Sequence, residues 1–254
     1  MTHPLRRTAC AIAFAVVSAC MSAADDARAQ GGPPLLTDDP GTPGDGRWEI
    51  NLAWTSQNSA STRYDEAPLA DINYGVGDRV QLKFEMPWVV ESGRGNNGFG
   101  TALAGVKWRF FDQGDDGWKV STYPQIEFLP PALHHAGSAD SGVSYLLPIE
   151  IQRDFGAFGA DVEVGRTFAP SGGDDGWIAG LALGYKISER TELLGEVHDE
   201  TFGGWDAHEL IVDIGAQTIL SEHFTLLVSL GSDVDNSIGP RNRWVSYLGL
   251  QLHL

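Results

Sequence analysis

The chain has 254 residues, 42% of them hydrophobic, and carries 17 basic against 34 acidic side chains, a formal net charge of −17. This length allows one large domain or two small ones, and the acidic charge argues against a nucleic-acid partner, which needs a basic surface for phosphates. Both cysteines, Cys10 and Cys20, precede residue 30, so the sequence predicts no disulfide and no cysteine-ligated metal in the remainder.

The first 29 residues have the features of a secretion signal. Arg6 and Arg7 form a basic start, Ala9–Ala19 is apolar, and Ala27-Arg28-Ala29 offers a small-x-small cleavage site. The apolar stretch is too short for a transmembrane helix, and no later segment has the roughly 18 uninterrupted apolar residues that such a helix needs. We therefore expect residues 1–29 to be removed after export.

Two other ways of processing this segment stay open. Val17-Ser18-Ala19-Cys20 resembles a lipoprotein signal in which Cys20 is lipidated, and cleavage after Ala24 is a further alternative. Cleavage after Ala29 removes three of the 17 basic and two of the 34 acidic side chains. The remaining chain then has 14 basic and 32 acidic side chains and a net charge of −18.

Residues 30–46 are rich in proline and glycine and fit neither helix nor strand. The prolines favour extended backbone at about 3.1 Å per residue. An extended segment of this length would reach well into a structure about 25 Å tall.

From residue 47 to residue 254 the chain alternates apolar residues with polar or small ones. In one stretch, Val80, Leu82 and Phe84 alternate with Gln81 and Lys83. A period of two is the mark of strands with two unlike faces. We predict twelve strands, at residues 47–56, 66–74, 79–89, 100–111, 118–129, 142–153, 157–167, 176–187, 191–199, 207–218, 223–232 and 243–254.

The connections between these strands alternate in length. Short turns are predicted at 75–78, 112–117, 154–156, 188–190 and 219–222, and longer loops at 57–65, 90–99, 130–141, 168–175, 200–206 and 233–242. Short turns on one side and long loops on the other are typical of outer-membrane barrels. The predicted fold over residues 47–254 is therefore all-β, a transmembrane antiparallel up-and-down β-barrel of about twelve strands, with both chain ends on the periplasmic side.

Large aromatic residues gather near the ends of the predicted strands, on the apolar face. Those near short turns are Trp48, Tyr74, Phe110, Trp118, Phe158, Tyr185 and Phe224, and those near long loops are Trp54, Trp88, Phe128, Tyr145 and Trp177. Rings at two such levels match the lipid–water boundaries of a membrane. A soluble barrel would instead place its large aromatics in the middle of the inner face. We therefore predict the bacterial outer membrane as the location and its lipid as a partner.

Three parts of the chain resemble a proteobacterial outer-membrane barrel family named for the MetA pathway of phenol degradation. They are Gly32–Gly41 (GPPLLTDDPG) with Gly46–Ile50 (GRWEI), then Asp71–Gly77 (DINYGVG) leading into VQLKF, and Gly105–Phe110 (GVKWRF). The resemblance implies a barrel that transports small solutes, among them small aromatic compounds. It implies no catalytic residues.

If the apolar face contacts lipid, the other face lines a lumen with unevenly placed charges. A basic wall is predicted from Lys83, Lys107, Arg109 and Lys119, and an acidic wall from Glu150, Asp161, Glu163, Glu192, Glu196, Glu209 and Asp213. Such a separation produces a transverse field that orients dipolar or charged solutes in a pore. The alternative is that these charges only pair with one another and fill a narrow barrel.

The segment before the first strand is a candidate plug for this lumen. The predicted inner face of the later strands carries several glycines, which leave space there. We expect Leu35 and Leu36 to pack against that wall, and Asp38 and Asp39 to pair with the basic wall. The alternative is a flexible periplasmic leader.

The sequence thus predicts an outer-membrane channel or transporter for small solutes, and not an enzyme. It offers no catalytic, cofactor-binding or metal-binding residues, and no cofactor is predicted. The alternative is a closed-lumen barrel with a structural or lipid-modifying enzymatic role. Barrel phospholipases use a serine polarised by a nearby histidine, and no His-x-Ser occurs on any predicted strand.

Overall fold

The structure of the protein is a computed structural model that describes residues 31–92, 96–114, 117–129, 142–169, 173–203 and 207–254. The predicted signal, residues 1–29, lies outside these ranges. The regular structure of the described residues is all β-strand. Among them there is no helix of the length and apolarity needed to cross a membrane.

The strands are long and follow one another in chain order. Those of the described residues are β1 (Trp48–Asn58), β2 (Arg63–Val76), β3 (Val80–Ser92), β4 (Asn96–Phe99), β5 (Ala102–Asp112), β6 (Trp118–Thr122), β7 (Gln125–Phe128), β8 (Val143–Phe155), β9 (Phe158–Phe168), β10 (Gly176–Lys186), β11 (Thr191–Phe202), β12 (Ala207–Ser221), β13 (Phe224–Asn236) and β14 (Trp244–His253).

Antiparallel pairing of neighbours closes the sheet into a barrel. β1 pairs with β2 on one side and with β14 on the other, in a ladder that runs from Glu49 opposite His253 to Asn58 opposite Trp244. β4 and β5 both pair with β3 and together form one wall position, as do β6 and β7 between β5 and β8. The result is a closed twelve-stranded barrel with two extra short strands, which confirms the predicted fold class.

Prolines explain two breaks in the wall, one between β4 and β5 and one between β6 and β7. Only the second break falls inside a predicted strand, 118–129, because β4 lies in the loop predicted at 90–99. Gly100, between β4 and β5, donates its N–H to the carbonyl of Pro87 on β3, at 3.0 Å. Pro124, between β6 and β7, accepts from the N–H of Val106 at 3.1 Å. Since proline has no N–H of its own, the regular ladder cannot continue through either position.

The two faces of the barrel have the predicted chemistry. Outward side chains are apolar and exposed, as at Leu82, Ile149 and Leu181, whereas inward ones such as Asn51 and Gln81 are polar and buried. This is the inverse of a water-soluble protein and matches a barrel with lipid outside and polar groups inside.

Aromatic pairs stand at both ends of the outer face. The rings of Trp48 and Tyr74 have centroids 4.6 Å apart beside the short turns. Trp88 lies 5.1 Å from Phe99, edge to face, near the long loops. These are the levels at which rings meet the lipid–water boundary.

Several strands extend beyond their predicted ends on the long-loop side. β2 begins at Arg63, which lies opposite Asn58 of β1, so part of the loop predicted at 57–65 is strand. β13 continues to Asn236, which lies opposite Glu209. Ladder hydrogen bonds hold these polar extensions, which have no apolar alternation to reveal them.

Candidate functional site in the barrel lumen

The segment Gly31–Gly46 enters the lumen at the short-turn end of the barrel, where the turns at 77–79, 156–157 and 222–223 lie. Gly46 donates its N–H to the carbonyl of Gly75 at 3.0 Å. The hydroxyl of Thr42 donates to the carbonyl of Asp78 at 2.9 Å. A Cβ on Gly75 would lie 1.8 Å from the carbonyl oxygen of Gly44, so this close approach requires glycine.

Further in, the segment folds back on itself. Gly32 donates to the carbonyl of Thr37 at 2.7 Å, and Leu35 donates to the carbonyl of Gly32 at 2.9 Å. Gly31 donates to the carboxylate of Asp39 at 3.1 Å. The extended conformation expected from the prolines is therefore wrong for residues 31–39, because these local hydrogen bonds close a compact loop.

On the basic wall, Lys107 of β5 is the main contact of the segment. Its side chain is almost fully buried, and its ammonium group donates to the Asp38 carboxylate at 2.8 Å and to the carbonyl of Asp39. The Glu150 carboxylate lies 3.8 Å from this ammonium, and the centre of the Tyr123 ring lies 4.9 Å from it. Lys107 thus joins the segment to the barrel by an ion pair in which the lysine is buried and the aspartate is partly buried.

Arg109, two residues further along the same strand, contacts the segment through carbonyls. It donates to Pro40 at 3.4 Å and to the turn carbonyl of Asp78 at 2.6 Å, and it pairs with Asp112 at 3.1 Å. The other two members of the predicted basic wall lie elsewhere in the lumen. Lys83 is 3.5 Å from both Asp71 and Glu85.

Lys119 on β6 lies opposite Asp112 of β5 and Gln152 of β8. The carboxylate of Asp39 accepts from the N–H groups of Gly31 and Gly41, within the segment itself. Of the ion pairs expected between the two aspartates and this wall, the structure forms the one between Asp38 and Lys107.

On the acidic wall, the segment presents three successive backbone N–H groups to two carboxylates. Leu36 and Thr37 donate to the two oxygens of Glu196, at 3.0 Å and 2.5 Å, and Asp38 donates to Glu163 at 2.9 Å. Consecutive N–H groups in a turn form an anion-binding concavity. The anions here are supplied by the barrel.

Gly180 of β10 leaves the space that this contact needs. It lies between Glu163 on β9 and His198 on β11 in the sheet register. A Cβ on Gly180 would lie 2.1 Å from the Thr37 hydroxyl oxygen, and Thr37 is fully buried. The space that Gly180 leaves on the inner face is therefore filled by the side chain of Thr37.

Leu35 and Leu36 differ in their surroundings. Leu35 is buried in a small cluster with Ala182 of β10 and Leu194 of β11. Leu36 remains 46% exposed. The packing expected of both leucines therefore applies to Leu35 alone, because the loop directs only one of two adjacent side chains to the wall.

The N-terminal part of the segment contacts a third part of the wall, β12 and β13. Ser229 of β13 donates to the carbonyl of Pro34 at 2.9 Å, and Gln217 of β12 donates to that of Pro33 at 3.3 Å. Together with Lys107 on β5, these contacts show that residues 33–40 cross the lumen from one side to the other.

The remaining acidic-wall residues also face inward. Glu150, Asp161, Glu192 and Asp213 are buried, and Glu150 accepts from the hydroxyl of Ser121. Glu209 lies nearer the long loops, where its carboxylate accepts from Asn236 at 2.9 Å and Asn242 at 3.1 Å. In the register, Glu150 lies opposite Glu163, and Glu196 opposite Asp213. The acidic side chains therefore lie on two pairs of adjacent strands, β8 with β9 and β11 with β12, separated by β10, which has none.

Sequence reasoning missed four residues that shape this site: Tyr123, Thr37, Gly180 as the partner of Thr37, and Ser229. The signal for Tyr123 was present, because a large aromatic beside a proline on the inner face is unusual in a polar lumen. The contacts of Thr37 and Ser229 involve backbone groups or a packing void, which residue type does not reveal. No group of three or more His, Cys, Asp or Glu side chains is placed to hold a metal ion within the described parts of the chain.

Comparisons with known proteins agree with this architecture. No family model and no curated protein matches the chain. Among solved structures, the COG4313 outer membrane channel from Pseudomonas putida F1 has a TM-score of 0.64 at 14% identity, covering 88% of this chain and 100% of its own. The KdgM porin has a TM-score of 0.56 at 10% identity, covering 80% and 98%.

The NanC porin is similar as well, with a TM-score of 0.55 at 11% identity over 80% of this chain and 98% of its own. At identities this low, the likeness shows a shared fold. That fold is the outer-membrane β-barrel of porins and channels, which confirms the predicted location and architecture.

Proposed function

We propose that the protein is an outer-membrane channel for small solutes whose lumen is narrowed by the segment Gly31–Gly46. The observation that carries this proposal is the crossing of the lumen by residues 33–40, held by Lys107 on one side and by Glu163 and Glu196 on the other. The solved barrels of the same fold are named as channels and porins. A segment held by these non-covalent contacts reduces the cross-section of the lumen, and it can be released without breaking the barrel.

The charged walls support a preference among solutes. The acidic wall lies on four strands, β8, β9, β11 and β12. Of the basic side chains, Lys107, Lys83 and Arg109 are paired with Asp38, Asp71 and Asp112. The net charge available to a solute is therefore negative, and we propose that cations pass more readily than anions.

Planar-bilayer recording tests both proposals. We expect the purified protein to conduct and its reversal potential in a salt gradient to show cation selectivity, stronger at low salt where screening is weak. Changing Asp161 and Asp213 to the corresponding amides should lower that selectivity. These two residues are suitable because neither accepts a hydrogen bond from the segment in the structure. Anion selectivity of the unmodified protein would contradict the proposal.

The family resemblance adds small aromatic compounds to the proposed solutes. The KdgM porin, by comparison, has been solved with disordered oligogalacturonate. Swelling of liposomes that contain the protein separates these classes, with phenol, a neutral sugar of similar mass and an aromatic amine as test solutes. Faster entry of the sugar than of both aromatics would remove aromatics from the proposal.

The closed-lumen alternative has one observation in its favour, the same crossing segment. A permanently closed barrel has no conductance with the segment in place and gains none when the segment is loosened by substitution. The proposed channel conducts with the segment in place, and it conducts more when the segment is loosened by substitution.

A further inference from the structure

Arg153 stands on the outer face of β8, near the short-turn end of the barrel. It lies two residues before the end of the strand, opposite Trp118 of β6 and Ala160 of β9. Its guanidinium carbon is 5.0 Å from the ring centre of Trp118 and 5.0 Å from that of Phe155. A strand rises about 3.3 Å per residue, so the charge of Arg153 lies about 7 Å from the end of β8. This is the level of the aromatic girdle near the short turns.

The aromatic surface continues beside this arginine. Phe158 follows Phe155 across the turn and packs against Tyr185, with ring centres 4.6 Å apart. Trp118, Phe155 and Phe158 are each more than 40% exposed on the outer face. Arg153 is thus one cation set in a belt of exposed rings.

No carboxylate forms an ion pair with Arg153 in the part of the chain that the structure describes. Its Nε–H is covered and has no hydrogen-bond acceptor there. Arg166 is the instructive contrast, because it also stacks on a ring, Trp177, at 5.0 Å. Arg166, however, pairs with Asp175 at 3.2 Å and donates to the carbonyl of Gly176.

We propose that Arg153 binds the phosphate group of a phospholipid in the periplasmic leaflet of the outer membrane. A planar guanidinium stacked on rings is held in one orientation, and its free edge matches the two oxygens of a phosphate. A cation at the aromatic girdle lies at the level of the lipid headgroups. Trp118 and Phe155 cover the first carbons of the acyl chains on either side. The lipid phosphate thus has the role toward Arg153 that the Asp175 carboxylate has toward Arg166.

Native mass spectrometry of the detergent-purified, delipidated protein tests this site, with phosphatidylglycerol as the probe. We expect Arg153→Gln to weaken retention of one phosphatidylglycerol about tenfold, the effect of losing one charge-assisted contact. The matched control is Arg166→Gln, which removes a ring-stacked arginine from the other end and should leave retention unchanged. Heat-modifiable migration in gels confirms that each variant is folded.

A second variant and a competitor distinguish the remaining outcomes. Arg153→Lys keeps the charge and loses the bidentate, stacked contact, so it should bind phosphatidylglycerol more weakly than the unmodified protein. Equal retention by the unmodified protein and both Arg153 variants would overturn the proposal. An equal loss in Arg166→Gln would show general charge attraction instead of a site. Displacement of the lipid by inorganic phosphate alone would assign Arg153 to a free anion.

Discussion

The two walls of the lumen hold the same segment by different chemistry. On the basic side, the charged side chain of Lys107 binds a charged side chain, Asp38, and a carbonyl. On the acidic side, the carboxylates of Glu163 and Glu196 bind backbone N–H groups. The basic contact therefore depends on which residue occupies position 38, whereas the acidic contact depends only on the path of the backbone. The segment is therefore held by a contact that depends on a side chain on one side of the lumen, and by contacts that depend on the backbone on the other.

The largest effect should come from the side-chain contact. Replacing Lys107 with Gln leaves the buried Glu150 and the partly buried Asp38 without their cation. Removing one partner of a fully buried ion pair costs about 3–5 kcal/mol, and we expect a loss toward the lower end of that range because Asp38 is partly exposed. We expect the segment to become accessible to trypsin or a similar protease and the conductance to rise. Lys119→Gln is the matched control, because Lys119 is a lysine of the same predicted wall that lies opposite Asp112 and Gln152.

A double variant sharpens this test. Asp38→Asn combined with Lys107→Gln removes both charges and should restore part of the lost protection. If the double variant is as exposed as Lys107→Gln, the ion pair is not what holds the basic side.

A smaller effect is expected on the acidic side. Glu196→Gln keeps one carbonyl oxygen that accepts from the backbone and loses the charge-assisted character of two hydrogen bonds. Hydrogen bonds to charged groups contribute about 1.5–3 kcal/mol and neutral ones about 1, so we expect a loss of stability below that of Lys107→Gln. Thermal unfolding of both variants in the same detergent measures the difference. The reverse order would mean that the acidic wall holds the segment more strongly than Lys107 does.

The smallest chemical change acts through space alone. Gly180→Ala adds a methyl group 2.1 Å from the Thr37 hydroxyl oxygen and 2.9 Å from its Cβ. Overpacking costs about 1–3 kcal/mol, enough to shift the equilibrium between held and released segment about tenfold. Conductance should rise, and Thr37→Gly in the same chain should reverse the rise, because the clashing atoms belong to that side chain.

Gly195→Ala is the control for this pair. A Cβ there meets only the carbonyl oxygen of Asp213, at 3.8 Å. It should change neither conductance nor stability by a measurable amount. If the conductance of Gly180→Ala rises and Thr37→Gly does not reverse the rise, the added methyl group clashes with something other than the segment.

The comparison of the two walls also explains what the sequence could predict. Alternation with a period of two predicted the barrel strands, because every strand has a lipid side and a lumen side. Opposite charges on Asp38 and Lys107 were visible as residue types. The contacts of Glu163 and Glu196 were not, since every residue except proline has a backbone N–H and nothing in the side chains marks which three will be used.

Other differences have equally local causes. The exposure of Leu36 depends on the direction of one turn, and the prolines expected to extend residues 31–39 instead lie in a loop closed by Gly32 and Thr37. The breaks between β4 and β5 and between β6 and β7 could have been predicted from the sequence, because Pro87 and Pro124 lie on predicted strands and proline cannot donate to the ladder.

Deleting residues 31–45 and recording single-channel conductance tests the central claim most directly. The barrel strands begin at Trp48 and their pairing does not involve the deleted residues, so we expect a folded barrel with heat-modifiable migration. The account predicts a conductance higher than that of the unmodified protein and of the Lys119→Gln control. A folded barrel whose conductance is unchanged by the deletion would contradict it and would assign the segment no part in the size of the pore.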